Sequence, residues 1–177
     1  METRTAKQIM VPIGQYPHVP EAATLLEATQ ILNFCQIKKA DGRVSSPRVL
    51  LVINEGHQFV GIVRRRDILR GLEPGFLVSG KVKHLGTAFD VKAGAELSEL
   101  SYDKIADGMR RRAQRPVREV MRPILATIQY DDHVITAINA IVEHNTSILP
   151  VLEGGRVIGV VRTIDVMEEV TSILSMI

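Results

Sequence analysis

The apolar and polar positions of this chain follow one order twice. In the later part of the sequence, apolar residues spaced three or four apart predict a helix over residues 133–143. A short apolar stretch at 124–128 comes before it, and two further apolar stretches at 147–152 and 157–161 follow, which predict one strand and then a hairpin. A closing helix is predicted over residues 165–174. The order in this half is therefore strand, helix, strand, strand, helix.

The earlier part of the chain repeats most of this order. A helix is predicted over residues 22–38, one strand over 48–53, a second strand over 59–63 and a closing helix over 67–71. Such repetition is typical of a chain that is built from two copies of one supersecondary unit.

A short motif marks the corresponding points of the two copies. The sequence GIVRRRDI at residues 61–68 matches GVVRTIDV at 159–166, and a Met-x-Pro segment at 10–12 matches another at 121–123. In each copy an apolar strand runs into a basic tip, and an aspartate follows where a helix should begin. The expected division of the chain is copy one at 1–72, an insertion at 73–114 and copy two at 115–177.

These features together resemble the tandem pair of CBS domains, or Bateman module, of bacterial CBS domain-containing proteins. The residues that carry the resemblance are the two Met-x-Pro segments, Leu149-Pro150-Val151, and the two Gly-apolar-Val-x-x-x-Asp endings. The resemblance implies a mixed α+β or α/β fold of two β-α-β-β-α modules, packed as a pseudo-two-fold pair. It also implies a regulatory module that senses energy or metabolite state by binding an adenine nucleotide, and that commonly forms a homodimer.

The two aspartates of the repeated motif are the principal candidate ligand-binding residues. The resemblance implies that Asp67 and Asp165 accept hydrogen bonds from the ribose hydroxyls of a nucleotide, and an ionised carboxylate has two acceptor oxygens for them. The helix start beside each one offers unpaired backbone N–H groups that favour anions. A purely structural role is the alternative, because Glu168 follows Asp165 by three residues as in a capping box. One residue can serve both roles.

Arginine stands where the family usually has Ser or Thr, three residues after the motif glycine. The guanidinium groups of Arg64 and Arg162 could bind phosphate through two parallel hydrogen bonds. They could instead pair with the neighbouring aspartates and fill the clefts, which would exclude a ligand. Copy one has three consecutive arginines, so charge favours it if only one cleft binds a polyphosphate. The remaining nucleotide-binding candidates are Gly61, Val63, Arg65, Gly159, Val161 and Thr163.

Composition narrows the class of protein. The chain has 177 residues, of which 45% are hydrophobic, and a formal net charge of only +2, so no overall basic field favours nucleic acid. Cys35 is the single cysteine, which excludes an intramolecular disulfide framework and is typical of a reducing compartment. No secretory signal and no apolar run of membrane length is visible. We therefore expect a cytoplasmic protein with no membrane segment.

The insertion ends in a concentration of arginines. A helix is predicted over residues 95–114, and five arginines lie between residues 110 and 118. Cations at a helix C-terminus are favourable through the helix dipole, which is one explanation. A docking patch for a partner protein or for nucleic acid is the other. Nucleic acid is disfavoured because the patch lacks interleaved aromatic residues for stacking.

Motifs for catalysis and for metal binding are missing from the sequence. It has no G-x-x-x-x-G-K-[ST] phosphate loop and no G-x-S-x-G elbow, and its five histidines have no metal-ligand spacing. We expect a non-enzymatic module that requires no cofactor, with AMP, ADP and ATP as candidate ligands ahead of S-adenosylmethionine and NADH. It would act on a partner chain. The alternative is a ligand-free interaction or scaffold protein with arginine-filled clefts.

Overall fold

The computed structural model describes residues 4–39, 42–73 and 102–175. The elements before the insertion are α1 (Ala6–Ile9), β1 (Val11–Pro12), β2 (His18–Pro20), α2 (Leu25–Phe34), β3 (Ile37–Lys38), β4 (Val44–Ser45), β5 (Val49–Ile53), β6 (Phe59–Arg64) and α3 (Arg65–Leu72). The later elements are α4 (Tyr102–Ala113), β7 (Ile128–Gln129), α5 (Val134–Glu143), β8 (Ile148–Glu153), β9 (Arg156–Arg162) and α6 (Thr163–Leu174). Single 3-10 turns occupy Ile13–Gln15 and Val117–Glu119. The predicted mixed fold of two repeats is confirmed.

Helix α2 is shorter than the sequence pattern predicts. It begins at a capping box, in which the Thr24 side-chain oxygen accepts the Glu27 N–H at 3.2 Å and the Glu27 carboxylate accepts the Thr24 N–H at 2.7 Å. It ends because Cys35 adopts an extended backbone conformation. Ile37, which continues the apolar pattern, is buried in the two-stranded β3–β4 hairpin instead. The prediction of helix through residue 38 is therefore wrong.

Two further boundaries differ from the prediction. The strand predicted over 124–128 is wrong over most of its length, since only Ile128 joins a sheet. Ile124 packs on the core between the copies without belonging to any strand. The insertion helix predicted over 95–114 covers residues 102–113, and its predicted beginning at 95–101 lies outside the described residues.

The two copies exchange their opening segments. The sheet of copy two has the order β1-β9-β8-β7, so it includes a strand from the start of the chain, with Val11 opposite Val160. The sheet of copy one has the order β2-β5-β6. At its edge Arg122, which opens copy two, exchanges backbone hydrogen bonds of 2.8 Å with Ile62. Each Met-x-Pro segment thus lies on the sheet of the other copy.

Side-chain packing follows the same exchange. Ala6 and Ile9 are buried in the core of copy two, and Val117 is buried in the core of copy one. A third cluster lies between the copies and contains Val11, Tyr16, Ile37, Val49, Leu51, Ile62, Ile148 and Val160. Burial of one aliphatic side chain of this size contributes roughly 1.5–3 kcal/mol. The shared cluster is therefore large enough to hold the two copies together as one unit.

The glycines of the repeated motif make this exchange possible. A Cβ at Gly159 would lie 2.5 Å from the Met10 sulfur and 2.8 Å from the Val11 carbonyl oxygen. A Cβ at Gly61 would lie 2.7 Å from the Arg122 carbonyl oxygen. Only a residue without a side chain lets the Met-x-Pro segment approach so closely.

Candidate functional site

The repeated motif brings each candidate aspartate to the first turn of a helix. Asp67 lies in α3 and Asp165 in α6, and both are buried. Each carboxylate accepts the backbone N–H of the arginine that precedes its helix, at 3.1 Å from Arg64 and 2.9 Å from Arg162. The aspartates are thus third residues of their helices and not N-caps, so the alternative role of Asp165 as the N-cap of a capping box with Glu168 is wrong.

In copy two the arginine forms a two-pronged pair with the aspartate. Arg162 Nε donates to Asp165 Oδ2 at 2.8 Å, and Arg162 Nη2 donates to Oδ1 at 2.7 Å. Its Nη1 donates to Ser45 Oγ of copy one, also at 2.8 Å. Of the two arrangements open to this arginine, the structure contains the one in which it pairs with the aspartate.

Copy one supplies a further cation to the same carboxylate. Lys39 Nζ lies 2.7 Å from Asp165 Oδ1 and donates to Glu168 at 2.6 Å, while Arg43 also contacts Glu168 at 2.9 Å. The Asp165 oxygens therefore receive four donors, two each. An ionised carboxylate has about four acceptor positions, so none is left over.

The aspartate of copy one is held in the same way. Arg64 Nε and Nη2 donate to Asp67 at 2.8 and 3.0 Å, and Arg122 of copy two donates from Nε at 2.8 Å. Burial by itself would raise the pKa of Asp67, but these hydrogen bonds outweigh burial and hold the pKa at about 2. The pKa of Asp165 is also lowered, because its bonds from Arg162 and Lys39 outweigh burial. Both aspartates are ionised in the folded protein near neutral pH.

A cavity of about 350 Å³, called the Arg162 cavity below, opens between the copies. Its lining is Tyr16, Ser45, Ser46, Arg48 and Val49 from copy one and Ser147, Ile148, Arg162, Thr163, Ile164 and Met167 from copy two. The Tyr16 hydroxyl donates to the Val49 carbonyl at 2.7 Å, so its own polar atom is already satisfied. The Thr163 hydroxyl is buried and has no hydrogen-bond partner among the residues that the structure describes. The cavity combines apolar walls with hydroxyls and two arginines.

Two other cavities lie beside the aspartates themselves. One of about 540 Å³ is lined by Asp165, Met10 and the basic side chains of Lys38 and Lys39, among others. One of about 450 Å³ is lined by Asp67 and by the corresponding Met121 segment. Asp165 thus lines a different cavity from Arg162, although the two side chains are hydrogen-bonded to each other.

Comparison with known proteins identifies the repeats. A family model of the CBS domain matches residues 6–74 and 117–172. The chain belongs to the CBS domain family. A comparison with curated protein sequences found no match.

Solved structures of CBS proteins have the same fold. They include CBSX2 in complex with AMP, with 16% identity and a TM-score of 0.59 over 96% of this chain and 98% of that one. CBSX2 from Arabidopsis thaliana has 16% identity and a TM-score of 0.63 over 98% of this chain and 99% of that one. A CBS domain-containing protein of unknown function from Kribbella flavida has 16% identity and a TM-score of 0.66 over 96% of this chain and 99% of that one. At such identities the likeness concerns the fold alone.

The two CBS repeats differ at the cavity wall. Arg65 is the counterpart of Thr163, and its guanidinium donates to the backbone carbonyls of Pro47 at 3.1 Å and Leu32 at 3.4 Å. A long cation in the first repeat thus occupies the position that a short hydroxyl has in the second. The apolar Ile164 corresponds to an arginine in the first repeat. Among the described residues, the second repeat therefore has a hydroxyl and an apolar side chain after its motif arginine, where the first repeat has two arginines.

The structure separates the predicted site residues into three groups. Arg162 and Thr163 line the Arg162 cavity, whereas Asp67 and Asp165 line the other two. The remaining candidates line none of these three cavities: Val63 and Val161 are buried in the repeat cores, Gly61 and Gly159 lie under the Met-x-Pro segments, Arg64 pairs with Asp67, and Arg65 binds carbonyls.

Sequence reasoning missed several residues of the site, among them Tyr16, Lys39, Ser45, Arg48 and Arg122. Tyr16 and Ser45 are single polar positions without a motif, and Lys39 follows a segment that was predicted as helix. Arg122 could have been noticed in the sequence, because it is the position at which the two Met-x-Pro segments differ. Its counterpart in the first segment is Val11.

Within residues 4–39, 42–73 and 102–175 no group of three or more His, Cys, Asp or Glu side chains is placed to hold a metal ion. No helix in these ranges is long and apolar enough to cross a membrane.

Proposed function

We propose that this CBS pair is a regulatory module that binds an adenine nucleotide in the Arg162 cavity. The observation that carries the proposal is the lining of this cavity, which combines apolar side chains from both repeats with serine and threonine hydroxyls and two arginines. Ligand sites are usually clefts of about 300–1,000 Å³ with mainly apolar walls and a few placed polar groups. An aromatic base suits the apolar part and an anionic phosphate suits the arginines.

The polar groups of the cavity support a phosphate-bearing ligand in particular. Arg162 has five N–H donors, of which two go to Asp165 and one to Ser45, so two remain for a phosphate. Arg48 adds a second guanidinium to the lining. The buried Thr163 hydroxyl lacks a partner in the described part of the chain, and a ligand oxygen would satisfy it. The AMP in the complex of the similar CBSX2 protein agrees with this ligand class.

Regulation would follow from the position of the cavity between the repeats. A ligand that contacts both repeats favours the relative arrangement that it binds better, and it shifts the population in proportion to that difference in affinity. The module would pass this change to a partner chain by altered docking. Catalysis is not part of the proposal.

We also propose that the module acts as a homodimer. Its helices carry exposed apolar side chains, among them Phe34 (82% exposed) on α2 and Val142 (74% exposed) on α5. Apolar side chains of this kind mark an interaction site where they form a contiguous patch. Sedimentation should give the mass of a dimer for the native chain and of a monomer for Val142→Asp. A monomeric native chain at micromolar concentration would remove this part of the proposal.

The second candidate is the ligand-free scaffold. It is favoured by one observation, the saturation of both aspartates by cations from both repeats. In that case the cations around the aspartates act only to fix the helix starts and to join the repeats, and the Arg162 cavity is an unused gap.

Thermal unfolding with added nucleotides separates the two candidates. The native chain, first shown to be free of co-purified nucleotide, is heated with AMP, ADP, ATP, S-adenosylmethionine or NADH, with GMP as the control for the base. A ligand at about 100 times its dissociation constant stabilises the folded state by roughly 2.7 kcal/mol. The sensor predicts a higher melting temperature with an adenine nucleotide and little change with GMP. The scaffold predicts no change with any of them.

A further inference from the structure

We infer that the Arg162 cavity recognises the base and the phosphate of its nucleotide and makes no use of the ribose hydroxyls. This inference rests on the function proposed above and specifies its ligand chemistry. It follows from the arrangement of donors around Asp165, the residue that the family resemblance assigns to ribose.

Asp165 has no acceptor position left for a sugar. Its Oδ2 accepts the Arg162 backbone N–H and Nε, and its Oδ1 accepts Arg162 Nη2 and Lys39 Nζ. Two hydroxyls could bind there only by displacing at least two of these donors. The carboxylate also lines a different cavity from the Arg162 cavity.

Neutral hydroxyls are poor competitors for these donors. A ribose O–H can donate a charge-assisted hydrogen bond to a carboxylate, but it carries no positive charge, so it cannot replace a guanidinium or an ammonium without loss of the ion pair. Lys39 is held in addition by Glu168 at 2.6 Å, and Arg162 by Ser45 at 2.8 Å. Displacement would therefore break contacts beyond the carboxylate itself. Asp165 is a positioning residue, which fixes the orientation of Arg162.

A phosphate faces no such competition. Two N–H groups of Arg162 remain after Asp165 and Ser45 are satisfied, so a phosphate that binds them need not displace either partner. Arg162 can therefore keep its hydrogen bonds to Asp165 and bind an anion at the same time. The phosphate and the base are left as the groups that determine affinity.

Calorimetric titration of the native chain tests this inference without any substitution. The titrants are AMP, 2′-deoxy-AMP, 2′,3′-dideoxy-AMP and adenosine. A hydrogen bond to a charged acceptor changes affinity by about tenfold or more when it is lost. We expect both deoxy nucleotides to bind within about fivefold of AMP, and adenosine to bind at least about tenfold more weakly.

The possible results separate this inference from the proposed function. Tight AMP binding with a loss greater than about fivefold for the deoxy nucleotides would mean that ribose displaces Lys39 or Arg162, and it would overturn the inference alone. Adenosine binding as tightly as AMP would overturn the role of the phosphate. Absence of binding by every titrant would overturn the proposed function, and this inference with it.

Discussion

Lys39 and Asp165 come from different repeats, and the lysine Nζ lies 2.7 Å from the aspartate carboxylate. The corresponding aspartate of copy one, Asp67, is also contacted by a cation of the other repeat. Arg122 of copy two donates to it at 2.8 Å. Each aspartate is therefore held by the arginine of its own repeat and by one cation of the other. The two repeats are joined by charge at both clefts as well as by the shared apolar cluster.

Removing the charge of Asp165 should destabilise the fold more than removing that of Asp67. The side chains of Arg162 and Lys39 are only 10% and 16% exposed, whereas those of Arg64 and Arg122 are 33% and 43% exposed and can turn to water. We expect Asp165→Asn to lower the free energy of unfolding by about 3–5 kcal/mol. For Asp67→Asn we expect about 1–3 kcal/mol. Urea denaturation measures both.

The matched control for these variants is Asp131→Asn, at an exposed turn position. It should change the free energy of unfolding by less than about 0.5 kcal/mol. Equal losses of unfolding free energy in Asp67→Asn and Asp165→Asn would contradict the difference in burial between the cations around the two aspartates.

Acid should weaken the ion pairs of Asp67 with Arg64 and Arg122 in a defined pH range. The pKa of Asp67 falls from an ordinary value of 3.8 to about 2 on folding. A carboxyl with a lowered pKa stabilises the folded state above its unfolded pKa, and it loses this contribution as the pH falls through its folded pKa. The contribution is about 1–2 kcal/mol after allowance for the solvent around its partly exposed partners, and it is lost from about pH 4 towards pH 2.

A comparison of the native chain with Asp67→Asn isolates this contribution. The difference between their free energies of unfolding should be constant from neutral pH down to about pH 5 and then shrink with further acid. A difference that grows on acidification, or that stays constant to about pH 3, would refute the assignment.

Substitution of Gly159 should separate the exchanged segment from its sheet. The new Cβ of Gly159→Ala would lie 2.5 Å from the Met10 sulfur and 2.8 Å from the Val11 carbonyl oxygen, and the backbone oxygen cannot turn away. We expect a loss of about 1–3 kcal/mol and faster hydrogen exchange at the Val11 amide. Gly14→Ala is the control, because its Cβ would meet no atom within 4 Å. An unchanged melting temperature for Gly159→Ala would show that β1 is not held as described.

The sequence contained enough information for the architecture and less for the site. Hairpins β5–β6 and β8–β9 were predictable because they combine apolar strands with short polar turns, and the repeated Gly-to-Asp motif located both helix starts. The β3–β4 hairpin was not predictable, since its buried Ile37 continues the helical pattern of α2. That hairpin carries Lys39 and Ser45, so the contacts between the repeats were missed with it.

The sequence could not decide whether the arginines pair with the aspartates, and the reason is a different one. A guanidinium can bind a carboxylate or a phosphate with the same two-pronged geometry, so residue type alone does not distinguish them. The choice depends on distances within each cleft. Arg64 and Arg162 are three residues from their aspartates across a helix start, which brings the two side chains together.

The most direct test of the central claim is AMP binding to the native chain and to Thr163→Arg. This substitution gives the second repeat the residue of the first, whose long side chain extends to backbone carbonyls and should fill the Arg162 cavity. Thr171→Arg adds the same charge at an exposed position of the same helix and serves as the control. We predict one AMP bound per chain by calorimetry in the native protein and in Thr171→Arg, and no detectable binding in Thr163→Arg. Binding that persists in Thr163→Arg, or that is absent from the native chain, would contradict a nucleotide site in this cavity.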